Sequence, residues 1–185
     1  MPDIDYDALS KALLDATQRT LAHMIDLTAG EQLYAFGLYV HDEMSGVYPT
    51  SNTEEGLLAR AKDYLDRDKE ERSIEYWARQ LRWLPADWKY HGEGLPFFSE
   101  VERIMLAGWR EDFSFFDSDP ARIGAICIDV LQQCREMLTR NGQGQSLLIN
   151  LFYIDTSIAK KLQLAEQLNP ADLYAQYKHD LETWA

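Results

Sequence analysis

The sequence predicts an α+β domain, a small mainly antiparallel or mixed sheet packed with about six helices. Three observations predict it. Residues 33–40 and 147–154 are apolar on both alternating faces, the pattern of strands covered on both sides. Most of the remaining chain repeats its apolar residues at helical spacing. Of 185 residues, 46% are hydrophobic and 26% charged, ordinary values for a folded chain. Few strands among many helices imply a sheet with helices laid on it. The length suits one domain, 1–185, without internal repeat, low-complexity tract or linker.

The first helix is expected over residues 4–27, where Tyr6, Leu9, Leu13, Leu14, Leu21, Met24 and Ile25 form a stripe. Asp3, Asp5 and Asp7 suit the positive end of its dipole, and Gly30 ends the segment. The strand at 33–40 is expected centrally in the sheet. A polar turn, 41–46, leads into a short return strand at Val47-Tyr48-Pro49-Thr50, making a hairpin. Pro49 has no N–H, so this strand lies at an edge or ends there. Asn52 with Glu55 three residues on reads as a capping box opening a helix through Leu65. Residues 66–72 alternate charge as a solvated helix end or loop.

Residues 73–83 fit either a helix, with Ile74, Trp77, Ala78 and Leu81 on one face, or a strand from Arg79 to Trp83. Pro85 and Gly92 make 84–92 irregular. A helix from about Pro96 follows, with Phe97, Val101, Ile104 and Met105 on its face. The strongest helix starts at Asp119-Pro120, an acidic cap followed by proline at the first helical position, and stops at Asn141-Gly142. Cys127 and Cys134 lie on its stripe with Ile123, Val130 and Met137. Seven residues at about 1.5 Å rise set these thiols about 10 Å apart, too far for a disulfide. They are expected reduced, buried and inert. Ser157 opens a helix through Leu168, and Asn169-Pro170 precedes the last one, with Leu173, Tyr177, Leu181 and Trp184 on its face.

Net charge is −13, from 31 acidic and 18 basic residues. Such a surface repels nucleic-acid phosphate and anionic lipid and favours a basic partner. The N-terminus lacks the pattern of a secretory signal, and no stretch reaches the ~18 apolar residues of a membrane span. With two cysteines placed as buried thiols, a cytoplasmic location is expected.

No phosphate loop, nucleophile elbow, HExxH or CxxC is present, so the reading is of a non-enzyme with no catalytic residue, cofactor or metal. His23, His41, His91 and His179 fall in four separate segments, none paired at ligand spacing. His41-Asp42 reads as a polar turn, and His91 with Asp87 offers an equally weak acid–base pair. Asp155 and Ser157 read as helix caps rather than a strand-end site. Glu102, Glu111 and Asp112 supply carboxylates without a defined separation. Trp83, Trp88 and Tyr90 read as a loop pinned to the core, with a partner-facing hot spot as the alternative.

Several segments in order resemble a bacterial family, domain of unknown function 4303. They are Leu33-Tyr34-Ala35-Phe36-Gly37-Leu38-Tyr39, then Tyr48-Pro49-Thr50-Ser51-Asn52-Thr53-Glu54-Glu55, then Leu81-Arg82-Trp83-Leu84-Pro85-Ala86-Asp87-Trp88-Lys89-Tyr90, and finally Leu168-Asn169-Pro170. The resemblance spans nearly the whole chain and carries over no catalytic motif. It implies small cytoplasmic proteins whose genes neighbour bacterial toxin effectors, and through that an immunity role.

The expectation is therefore a binding protein that neutralises a toxin by occlusion. Its contacts would be Asp42, Glu43, Asp63, Asp66, Asp68, Glu70 and Glu71, with Trp88 as anchor, facing a basic protein domain rather than nucleic acid or membrane. The alternative is an enzyme or small-ligand binder with a pocket near Asp155, His41 and Trp88.

Overall fold

The structure is a computed structural model that describes residues 4–41, 44–109, 116–154 and 156–184. Helix α1 (Tyr6–Leu27) leads into strands β1 (Leu33–Val40) and β2 (Val47–Thr53), then helices α2 (Glu54–Leu65) and α3 (Ile74–Leu81). A two-residue strand β3 (Tyr90–His91), helix α4 (Ser99–Met105) and helix α5 (Pro120–Arg140) follow. Strand β4 (Leu148–Tyr153) and helices α6 (Ile158–Leu168) and α7 (Ala171–Trp184) complete the order.

The four strands form one mixed sheet in the order β3-β2-β1-β4. β1 pairs antiparallel with β2 and parallel with β4, so it sits centrally, as its two apolar faces predict. The two faces of β1 feed two cores. Phe36, Leu38 and Val40 join Leu9, Leu13, Ile123, Cys127 and Leu131 under α1, α4 and α5. Ala35 and Tyr39 join Leu57, Trp88, Phe152 and Tyr177 on the other side. A register shift between Leu33 and Ala35 lets Tyr34 share that second face with Ala35, against the alternation of a regular strand.

Several boundaries differ from the sequence reading, each for a physical reason. Residues 74–81 are helical, capped by Ser73, whose hydroxyl accepts from Tyr76 N–H at 3.2 Å. β2 runs on to Thr53, and Thr53 rather than Asn52 caps α2, accepting from Gly56 N–H at 3.0 Å. Asn52 is spent inside the sheet, donating to Tyr34 Oη at 3.1 Å and accepting from Lys89 N–H at 3.3 Å. Thr50, Ser51, Asn52 and Thr53 are polar yet buried, so hydropathy does not mark the continuation of the strand past Thr50. Pro49 is an edge position in part: its carbonyl accepts from Gly92 N–H at 2.9 Å, while β3 pairs only with Thr50 and Ser51.

α5 follows the sequence closely: Asp119 caps it, Pro120 opens it, and Gly142 takes the left-handed conformation at φ +67° after the C-cap Asn141. Cys127 and Cys134 are free and fully buried, and burial pushes each thiol up to about 12.

The guanidinium of Arg135, also on α5, is half-enclosed and has no carboxylate partner among the described residues. It donates instead to the carbonyls of Leu168, Gly144 and Leu147 and to Asn169 Oδ1, tying α5 to both ends of the β4 unit. Asn169 Nδ2 in turn donates to Ile149 C=O at 2.7 Å, and its Oδ1 accepts from Ile149 N–H at 2.8 Å. Asn150 Oδ1 accepts from Leu151 N–H at 3.0 Å. The β4 edge is thus closed by side chains.

Candidate functional site

Of the acidic residues singled out in the sequence as partner contacts, the structure describes those from Asp63 to Glu71. Asp42, Glu43 and Asp155 lie outside the described residues, as do Glu111 and Asp112. Asp63, on α2, is more than half exposed, and Asp66, Glu70 and Glu71 are exposed on the loop that joins α2 to α3. Lys62, Arg67 and Lys69 are exposed between them, so this surface is mixed in sign.

Asp68 corrects the expectation of a free surface charge. Its side chain is only 4% exposed. It accepts from Glu70 N–H at 2.9 Å, Arg72 N–H at 3.2 Å and Trp77 Nε1–H at 3.1 Å. Those hydrogen bonds, led by the Glu70 amide, hold its carboxyl below the usual range. The loop is therefore folded around Asp68. Within it Glu71 takes a φ of +52°, a left-handed conformation uncommon for any residue but glycine, and Glu70 pairs with Arg72.

Trp88 corrects the expectation of a partner anchor and bears out the reading of a loop pinned to the core. It is 4% exposed, with its ring edge-on to Phe152 at 5.0 Å and to Tyr34 at 6.2 Å. It is core and cannot anchor a partner in this conformation. Its Nε1–H donates to Arg82 C=O at 3.0 Å, and Tyr34 Oη–H donates to the same carbonyl at 2.8 Å. The segment around it has one structural purpose. Asp87 Oδ1 accepts from Arg60 Nη2 at 2.7 Å and Tyr64 Oη at 2.9 Å. The Arg82 guanidinium grips Glu54 through two hydrogen bonds of 2.8 and 2.6 Å. Lys89 Nζ and Tyr90 Oη both donate to Glu31, whose carboxyl is held low chiefly by Lys89. Trp83 Nε1–H donates to Asp180 at 3.0 Å, fastening the same loop to α7. Asp87 is thus engaged by α2 and does not pair with His91, whose Nδ1 instead lies 3.2 Å from Thr50 Oγ1.

One feature that the sequence did not single out is a hollow of about 480 Å³ at the hairpin tip. His41, Ser45, Gly46, Val47 and Tyr48 make one wall. The other is the 95–109 segment, with Leu95, Phe98, Val101, Met105, Leu106 and Trp109 apolar and Glu102 charged. The hollow exists because β3 is so short. Gly92 and Gly94, at φ +79° and +89°, turn the chain away from the β2 edge after His91. The space where a longer β3 would continue stays open. Gly94 can lie there only as glycine, since a Cβ would sit 2.7 Å from the Thr20 side chain.

The fold also brings two histidines toward one ring: His41 and His91 stand edge-on to Tyr39 at 6.2 and 4.9 Å. Burial, with a smaller contribution from His41, holds His91 below the ordinary histidine value. His41 lies on the hollow and Trp88 belongs to the second core, while Asp155, the third residue of the expected pocket, lies outside the described residues. Among the described residues no three His, Cys, Asp or Glu side chains are grouped to hold a metal ion. Among them, too, no helix is long and apolar enough to cross a membrane.

The molecule is thus an α+β protein with a mixed four-stranded sheet between two layers of helices and an open hollow at one sheet edge. Residues 13–170 match the family described as Domain of unknown function (DUF4303), and the chain belongs to that family. No curated protein and no solved structure gives a significant match to the chain.

Proposed function

We propose that this chain is a cytoplasmic binding protein that acts as an immunity protein, neutralising a bacterial toxin effector by covering its active site. The observation that carries this reading is the loop built around Asp68. A buried carboxylate spends its hydrogen bonds on holding the backbone, while Asp66, Glu70 and Glu71 stay outward. A left-handed non-glycine residue at Glu71 persists only where surrounding contacts impose it. Such preorganisation lowers the ordering cost of docking. Because Lys62, Arg67 and Lys69 interleave with these acids, the loop itself exerts little long-range pull. Steering comes from the whole −13 charge, and the loop acts at contact, within the Debye length of ~8 Å.

The test is to identify the protein captured by the chain in its native host, then measure inhibition of that protein at equal stoichiometry and association kinetics at two salt concentrations. Charge reversal at Asp66, Glu70 and Glu71 is expected to slow association several-fold. A captured partner that keeps full activity in the complex ends the immunity reading. A rate indifferent to both salt and charge reversal ends the electrostatic part of it.

A second reading, a small-ligand binder or enzyme, is favoured by the hollow. Its volume falls within the ~300–1,000 Å³ of small-molecule sites, and His41 lies on its wall.

A further inference from the structure

We infer that the hollow between the hairpin tip and α4 binds a small organic cation with an apolar or aromatic body. This deepens the small-ligand reading and is independent of the toxin-neutralising one.

The shape comes first. The hollow is bounded by a strand edge on one side and by α4 with its 3-10 extension, residues 106–108, on the other. Phe98, Val101 and Met105 are core residues whose accessible remainder forms the floor, and the exposed Leu95 and Leu106 stand at the rim. A guest without an apolar body would leave this surface wetted and gain nothing from it.

Charge selects among apolar guests. Glu102 is the carboxylate on the wall, and no lysine or arginine is among the described lining residues. Glu102 is exposed and forms no ion pair among the described residues. Its neighbour Arg103 is committed to Glu100 through hydrogen bonds of 2.7 and 2.6 Å. Glu102 and Leu106, four residues apart, both line the hollow, so charge and apolar rim are adjacent. Tyr48, Phe98 and Trp109 add aromatic rings, whose faces attract cations and repel anions. An anionic guest would meet Glu102 and these ring faces together. A neutral guest would gain nothing from the carboxylate beside it. A cation answers both.

The probes are 2-phenylethylammonium, neutral 2-phenylethanol and anionic 3-phenylpropionate, each titrated into the full-length ¹⁵N-labelled chain. The readout is the indole N–H resonance of Trp109, with the buried Trp88 as internal reference. The ammonium is expected to bind roughly fivefold tighter than the alcohol, with 3-phenylpropionate weakest. Glu102→Gln, at an exposed position, is expected to bring ammonium and alcohol to parity while leaving the fold intact by circular dichroism. Equal binding of the three probes, or an ammonium preference that survives in Glu102→Gln, overturns the inference but leaves a ligand-binding hollow standing. If no probe moves the Trp109 resonance, both the inference and the small-ligand reading fall.

Discussion

The Asn169 carboxamide gives Ile149 both of the hydrogen bonds that a neighbouring strand would give, accepting from its N–H at 2.8 Å and donating to its C=O at 2.7 Å. It also accepts from Arg135 Nη2 at 2.6 Å and donates to Ala165 C=O at 2.9 Å, so one side chain serves the β4 edge, the α6 terminus and a half-buried cation. Asn169→Ala would strand these groups together. We expect a loss of about 3 kcal/mol in stability and a greater tendency to associate through the opened edge. Urea unfolding and light scattering measure the two effects. A variant as stable as the parent would show that water replaces the amide at this edge.

Trp88→Ala should cost about 3–5 kcal/mol, because a full ring leaves the second core and the cavity cannot collapse around Tyr34 and Phe152. Trp88→Phe retains most of the ring and loses the hydrogen bond to Arg82 C=O, which Tyr34 still satisfies, so its cost should be much smaller. Equilibrium unfolding separates the two variants. Equal and negligible costs would place the ring outside the core.

The two thiols give the protein an alkaline limit. Burial raises both to about 12, whereas an unfolded cysteine ionises near ~8.5. Below that unfolded value both states hold the proton and their contribution to stability is complete. Above it the unfolded chain releases protons that the folded chain retains, so stability falls as pH rises toward the folded value. The loss is at most about 1.4 kcal/mol per thiol per pH unit. The Cys127→Ala, Cys134→Ala double variant should show a shallower decline between about pH 9 and 11. Below pH 8 thiol reagents should label the parent only as fast as it opens. Fast labelling of the native chain, or an unchanged alkaline slope in the double variant, would contradict burial.

The large elements were legible because burial on a whole face leaves a pattern. β1 and β4 are covered on both sides and read as unbroken apolar runs, and α5 carries its own start and stop signals in Asp119-Pro120 and Asn141-Gly142. β2 beyond Thr50 was not legible, since Ser51 to Thr53 are buried by hydrogen bonding and cross-strand packing rather than by hydrophobicity. β3 is two residues long and has no periodicity to read. The acids from Asp63 to Glu71 look alike in sequence, yet Asp68 alone turns inward, a difference made by Trp77 and by backbone amides it meets only after the turn forms. The hollow was invisible for a related reason: its walls come from residues 41–48 and 95–109, which the chain brings together only through the sheet.

The pairing of β1 bears on how the chain is made. Ala35 lies beside Ser51's neighbour Asn52 within one hairpin, but its other partner is Leu148. During synthesis the hairpin emerges early, with one flank of a wholly apolar strand uncovered. That flank waits until residues 148–153 have left the ribosome, and the Asn169 seal on β4 arrives later still. Contacts so distant in sequence close slowly, and an uncovered strand edge recruits other chains while it waits. Nascent copies truncated before residue 148 should therefore be the species that chaperones hold, and chains in which β4 has paired and Asn169 has sealed its far edge should be released.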